Sequence, residues 1–199
     1  MRIGVFGGTF DPVHIGHLII AQEVWYKLGL DQVLFVPARQ SPFKPKQRPA
    51  RPEHRLRMLE SATASNPHFA VSTIELDREP PSYTVDTIAL LRERFGAEAG
   101  LYFIVGVDAL VDFLRWREPR RLVELCEIVG VTRPKCPPFD MTVLLAAIPQ
   151  AQERIRIVEG PLIEVSASDI RQRVSTGQPI KYLVPEAVEA YIREHGLYT

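Results

Sequence analysis

Gly7-Gly8-Thr9-Phe10-Asp11-Pro12-Val13-His14-Ile15-Gly16-His17 is the stretch that decides how this chain folds. Ahead of it, residues 2–6 form a short apolar run that reads as a strand. Behind it, from Ile15, the apolar positions Leu18, Ala21, Trp25 and Leu28 recur at helical spacing, and Gly29 supplies the helix stop. The segment is therefore a strand-to-helix turn. In open α/β sheets, ligands bind at such turns beyond the carboxyl ends of strands. A helix start offers unpaired backbone N–H groups and the positive end of the dipole, both suited to an anion. Gly7 and Gly8 remove side chains where a phosphate has to approach the backbone, and Thr9 and Phe10 share that turn. His14 and His17 are spaced to share one face at the helix start, with Gly16 keeping that face open. Their imidazoles can donate hydrogen bonds to phosphate oxygens and gain charge as they do so.

The segment admits other readings. Gly4, Gly7 and Gly8 do not fit the Gly-x-Gly-x-x-Gly of a dinucleotide turn, and no Gly-Lys pair exists anywhere in the chain to make a P-loop. A metal site on His14, His17 and Asp11 lacks the His-Glu-x-x-His spacing. Two histidines that merely cap or pack are the plain alternative. The glycines and the strand-to-helix context weigh against it.

Outward from this turn the chain alternates strands and helices. Residues 33–36, 69–76, 101–105, 125–131 and 155–158 read as strands, several of them short apolar runs of the kind buried on both faces of a sheet. Residues 53–64, 84–95, a stretch from 119, 168–174 and 185–195 read as helices, with Pro185 in a first turn. Residues 37–52 hold Pro37, Pro42, Pro45, Pro49 and Pro52, which forbid regular structure. They also hold Arg39, Lys44, Lys46, Arg48 and Arg51 with no acid among them, so this is a basic loop. The alternation predicts an α/β, Rossmann-like doubly wound parallel sheet with helices on both faces. With 199 residues and no linker or repeat, a single domain spanning 1–199 is expected.

Composition narrows the function classes. Lys+Arg and Asp+Glu both number 24, so the net charge is zero and nucleic acid is not the expected partner. The longest apolar run, residues 143–148, is far too short to span a membrane, and residues 3–6 are too short for a signal-peptide core. The expectation is a cytoplasmic chain whose two cysteines, Cys126 and Cys136, are buried thiols rather than a disulfide or metal site.

A second anion site is suggested at residues 165–171, Val-Ser-Ala-Ser-Asp-Ile-Arg. Ser168 reads as the helix N-cap. Arg171 near the first turn opposes the dipole, where a capping box would place Glu or Gln. A bound anion would turn that misfit into an asset; an exposed, solvated Arg is the bland reading.

The first stretch resembles the signature of the nucleotidyltransferase superfamily, whose members carry His-x-Gly-His after the first strand. Its longer form, Gly-Gly-Thr-Phe-Asp-Pro-x-His-x-Gly-His, is matched here without a gap and is similar to bacterial nicotinate-mononucleotide adenylyltransferases. Residues 165–171 resemble the superfamily's Ile-Ser-Ser-Thr-x-Ile-Arg, with Val165, Ala167 and Ser168 as departures that keep the hydroxyls of Ser166 and Ser168. Ser41-Pro42-Phe43-Lys44 stands where the family has Pro-Pro-His-Lys/Arg, so the cation matches and the histidine does not. Residues 75–87, 103–108 with Phe113 and Trp116, Arg133-Pro134, and 177–198 also look like this branch, so the likeness covers nearly the whole chain.

The resemblance implies transfer of the adenylyl group of ATP to nicotinate mononucleotide, giving nicotinate adenine dinucleotide and pyrophosphate. It implies catalytic roles for His14, His17, Lys44 and Arg171. It implies ATP contacts from Gly7, Gly8, Thr9, Phe10, Gly106, Asp108, Ser166 and Ser168. Thr84 would help read the nicotinate carboxylate, Trp116 would stack on the pyridine, and Arg133 would meet the mononucleotide phosphate. By its residues alone Thr84 reads as a helix N-cap, and Trp116 as core. Mg²⁺ would ride mainly on the ATP phosphates with no protein metal site. The rivals are another adenylyl- or cytidylyltransferase such as the phosphopantetheine enzyme, a nucleotide sensor without catalysis, and a metal hydrolase on His14 and His17. The oligomeric state, monomer or homo-oligomer, is left open.

Overall fold

In the computed structural model, residues 1–42, 48–132, 140–161 and 163–199 are described. Six strands, β1 (Arg2–Gly8), β2 (Gln32–Pro37), β3 (Phe69–Val71), β4 (Gly100–Gly106), β5 (Glu127–Val131) and β6 (Ile155–Val158), form one sheet. Its order is β3-β2-β1-β4-β5-β6, and every neighbouring pair is parallel. Chain order thus reverses at β1, which has β2 on one side and β4 on the other. That reversal opens a crevice at the carboxyl ends of β1 and β4.

Alternate side chains of the strands feed two cores. On one face Phe6, Phe35, Ile104 and Val129 pack against α1 (Ile15–Leu28), α2 (Pro52–Thr63), α8 (Ala167–Ser175) and α9 (Glu186–Glu194), through Val24, Met58, Leu59, Ile170 and Val188. On the other, Ile3, Val5, Leu101, Phe103 and Ile128 meet α3 (Thr84–Phe95), α4 (Val107–Leu110), α5 (Pro119–Leu125), α6 (Thr142–Ala147) and α7 (Ala151–Arg154). Each such side chain, fully buried, contributes about 1.5–3 kcal/mol. The doubly wound expectation is met. Among the described residues, no helix is long and apolar enough to cross a membrane.

Gly29 closes α1 as read, in the left-handed region at φ 56°. Several local expectations need correction. The strand read over 69–76 ends at Val71, because polar side chains take over the backbone. Thr73 Oγ1 donates to Asp77 Oδ2 at 2.7 Å, and Asp77 N–H to Thr73 O at 3.0 Å, closing a turn. Leu125 belongs to α5 rather than to the following strand. Ser166, not Ser168, caps α8, its Oγ accepting the Asp169 N–H at 3.1 Å. Thr84 is the first residue of α3, with Tyr83 in the cap position, and Pro185 precedes α9 rather than lying in its first turn. The short α4, the 3₁₀ turn Phe113–Arg115, α6 and α7 had no reading in the sequence.

Cys126 is buried with its Sγ 3.5 Å from Leu122 O, and burial pushes its thiol pKa up to about 12. Cys136 lies outside the described residues.

Candidate active site

A cleft of about 500 Å³ occupies the crevice where chain order reverses. The turn after β1 supplies one wall: Gly7, Gly8, Thr9, Phe10, Asp11, His14 and His17. The segment after β4 supplies Gly106, Asp108 and Trp116, and the start of α8 supplies Ser166, Ser168 and Arg171. Twelve residues to which the resemblance gives a role therefore line one cavity, with Asp11 beside them. Thr84 is not among its lining residues. Lys44 and Arg133 lie outside the described residues, as does Phe43.

The first wall is set by tight packing. His14 holds the N-cap position of α1, and its backbone N–H donates to Nδ1 of His17 at 3.2 Å. The two imidazoles stack, with centroids 3.6 Å apart. A Cβ at Gly16 would come within 3.1 Å of the His14 ring, so glycine leaves that ring its place. At Gly8 a Cβ would meet the Phe10 ring at 3.1 Å. Phe10 itself is 2% exposed and packs on Phe6, Phe35 and His17. It is a brace under the turn as much as part of its surface. Its φ of 50° is a conformation that L-residues seldom adopt and that surrounding contacts must hold.

Asp11 and Arg55 do that holding, and the sequence reading had given neither this task. Arg55 is fully buried, donating from Nη1 to Thr9 O (2.7 Å) and Ala38 O (2.8 Å) and from Nε to Ala50 O (3.0 Å). Burial lowers its pKa, and Asp11 works against that shift. A signal was present: Arg55, Met58, Leu59 and Ala62 share one helical face, so a cation sat in an apolar stripe. Asp11 Oδ1 accepts the Tyr198 hydroxyl at 2.7 Å and the Ala50 N–H at 3.1 Å.

Arg171 is also held from this turn. Its Nη1 donates to Asp11 O at 2.7 Å and stands 3.7 Å from Asp11 Oδ2, while Nη2 is 3.4 Å from Ser168 Oγ. The cation that opposed the helix dipole is thus docked onto the wall made by His14 and His17.

On the far side, Trp116 is 8% exposed, packing on Phe103 and Phe113 while still facing the cleft. The core reading holds, and the ring also borders the cleft. Residues 75–87 form a network in which Arg78 donates to Thr87 Oγ1 (2.8 Å) and Thr87 donates to the buried Glu75 (2.6 Å). Burial raises the Glu75 pKa, with the Thr87 hydrogen bond opposing. Arg117 lies over the Tyr83 ring, 4.6 Å from its centroid. Asp11, Asp108 and Asp112 line the cleft, but among the described residues no group of three or more His, Cys, Asp or Glu is placed to hold a metal ion.

Residues 5–173 match the cytidylyltransferase-like family model. The chain is 50% identical over 196 residues to a probable nicotinate-nucleotide adenylyltransferase of Roseiflexus sp. (strain RS-1), covering 98% of this chain and 97% of that one. The chain belongs to the nicotinate-nucleotide adenylyltransferase family. A second member, from Moorella thermoacetica, is 45% identical over 201 residues, with 99% of this chain and 91% of that one covered. The fold is that of a solved member too. Plasmodium falciparum nicotinic acid mononucleotide adenylyltransferase complexed with NaAD superposes with a TM-score of 0.79 at 19% identity, over 99% of this chain and 97% of that one.

Proposed function

We propose that this chain transfers the adenylyl group of ATP to nicotinate mononucleotide, forming nicotinate adenine dinucleotide and pyrophosphate in NAD biosynthesis. The carrying observation is the docking of Arg171 on Asp11, which joins the His14/His17 turn and the start of α8 into one phosphate-facing wall. Family membership supports the choice of substrates.

In this reaction an oxygen of the acceptor phosphate attacks the α-phosphorus of ATP. The bond to the bridging oxygen breaks, and its electron pair leaves with pyrophosphate. The nucleophile is already mostly dianionic near neutral pH, since its second pKa is about 6, so no general base is needed. The difficulty is bringing two polyanions together, and positioning and charge neutralisation supply most of the catalysis. We assign His14, His17 and Arg171 to the triphosphate, with Lys44 joining them and Arg133 holding the acceptor phosphate. Gly7 to Phe10, Gly106, Asp108, Ser166 and Ser168 cradle ATP. Trp116 offers its flat face to the pyridine. Thr84, as first residue of α3, would read the nicotinate carboxylate through the helix start rather than as a cap. Mg²⁺ would be carried by the phosphate oxygens and would supply further charge neutralisation there, since no group of three or more His, Cys, Asp or Glu among the described residues is placed to hold it. The cytoplasm, where ATP is made available to such chemistry, is the compartment proposed.

Pyrophosphate release from Mg·ATP, measured with nicotinate mononucleotide, nicotinamide mononucleotide or phosphopantetheine as acceptor, tests the reading. Release with nicotinate mononucleotide alone, lost on the order of a hundredfold in His17→Ala, is the expected result. ATP binding without release for any acceptor would leave a sensor instead.

A further inference from the structure

Asp11 is buried, yet its two carboxylate oxygens face different partners. Oδ1 accepts two uncharged donors, the Tyr198 hydroxyl at 2.7 Å and the Ala50 N–H at 3.1 Å. Oδ2 faces Arg171 at 3.7 Å, too far for a hydrogen bond. The guanidinium is held instead by the main-chain carbonyl of Asp11, at 2.7 Å. Arg171 is thereby fixed in place without being consumed by a tight ion pair, and its side chain keeps 31% of its surface exposed.

We infer that Tyr198 is a positioning residue for Arg171, acting through Asp11; the inference rests on the assignment of Arg171 to the ATP phosphates. By occupying Oδ1, the Tyr198 hydroxyl disperses the carboxylate's charge and turns it away from the guanidinium. Without that donor Oδ1 loses one of its two hydrogen bonds in a buried site, and Arg171, 3.7 Å from Oδ2, is a cation able to close on the carboxylate in its place. The cation then closes onto Asp11 and withdraws from the phosphates. Two further observations fit this role. The segment after α9 curls back toward the cleft through left-handed conformations at Gly196 (φ 56°) and at Tyr198 itself (φ 67°). The latter is a conformation an L-residue adopts where contacts hold it. Burial and the neighbouring carboxylate also push the phenol pKa up, so the hydroxyl stays a donor at any working pH.

A double-mutant cycle decides the point, because a merely structural tyrosine would act independently of Arg171. Tyr198→Phe is expected to lower kcat/KM for ATP about tenfold, with KM for nicotinate mononucleotide unchanged. In an Arg171→Ala background the same change is expected to cost less than twofold. The cycle is repeated on the dissociation constant for Mg·ATP without acceptor, so that it reads out even if no acceptor supports turnover. Equal losses in both backgrounds, or no loss in either, would overturn the inference. Should Tyr198→Phe fold poorly by its thermal midpoint, Asp11→Asn supplies a second cycle, in which additivity with Arg171→Ala would equally sink the idea.

Discussion

The imidazole of His17 accepts a hydrogen bond at Nδ1 from the backbone N–H of His14, 3.2 Å away, while the two rings stack with centroids 3.6 Å apart and planes inclined by 27°. An N–H donor leaves Nδ1 unprotonated, so the ring hydrogen of His17 sits on Nε2. Two imidazolium charges at this separation would repel by about 1 kcal/mol in water and by about 4–5 kcal/mol at an effective dielectric constant near 20. The stack and the hydrogen bond fix both rings at the start of α1, beside Arg171 on the same wall of the cleft.

That stack depends on Gly16. Gly16→Ala places a Cβ 3.1 Å from the His14 ring, which has to shift by a few tenths of an ångström. Alanine is also the better helix residue, by about 1 kcal/mol. The expected outcome is kcat reduced roughly tenfold with a thermal midpoint within about 2 °C of wild type. Full activity in a well-folded variant would show that the stacking geometry does not matter.

Arg55→Leu strips the donor from the main-chain carbonyls of Thr9, Ala38 and Ala50 and removes one of the two cations near Asp11, the other being Arg171. A cost on the order of 3–5 kcal/mol is expected, lowering the midpoint of a domain this size by roughly 10 °C. Arg55→Lys recovers less than half, because an ammonium cannot span the same carbonyls as a planar fork. Calorimetry of the three proteins checks both statements.

Much of this architecture is legible in the sequence. β1, the Gly7 to His17 turn and α1 announce themselves because an apolar run, a glycine pair and a helical period follow one another without overlap. Strand ends were harder to read. Residues 72–77 continue the apolar pattern of β3, and only the Ser72, Thr73 and Asp77 side chains show that the backbone turns there. Of the site, the motif residues were visible because their types are unusual for their positions. Tyr198 and Asp11 meet across nearly the whole chain, and no local pattern encodes such a contact.

Glu75 gives a stability signature in pH. Its carboxyl pKa is raised in the folded state, chiefly by burial, so folding favours the protonated form. Its favourable contribution is complete below the ordinary glutamate range and is lost as pH rises through the raised folded value. Glu75→Gln keeps an oxygen for Thr87 and does not titrate. The midpoint of the variant relative to wild type should therefore climb as pH rises above the ordinary glutamate range. A difference independent of pH would mean that Glu75 ionises as freely folded as unfolded.

Trp116→Phe keeps an aromatic ring on Phe113 and reduces the flat face turned to the cleft. KM for nicotinate mononucleotide should rise roughly fivefold, about the value of one aromatic contact, with KM for ATP unchanged. A rise confined to ATP would reassign that side of the cleft.

All six strands run the same way, so a nucleotide is met from one rim of the sheet while the other rim only reverses the chain. Residues 96–99, on that far rim, join α3 to β4 at the end of the strand away from Gly106. A spacer inserted there lengthens the protein without widening the cleft. A reporter or a surface tether added on that rim would stand at the opposite end of the strands from the cleft.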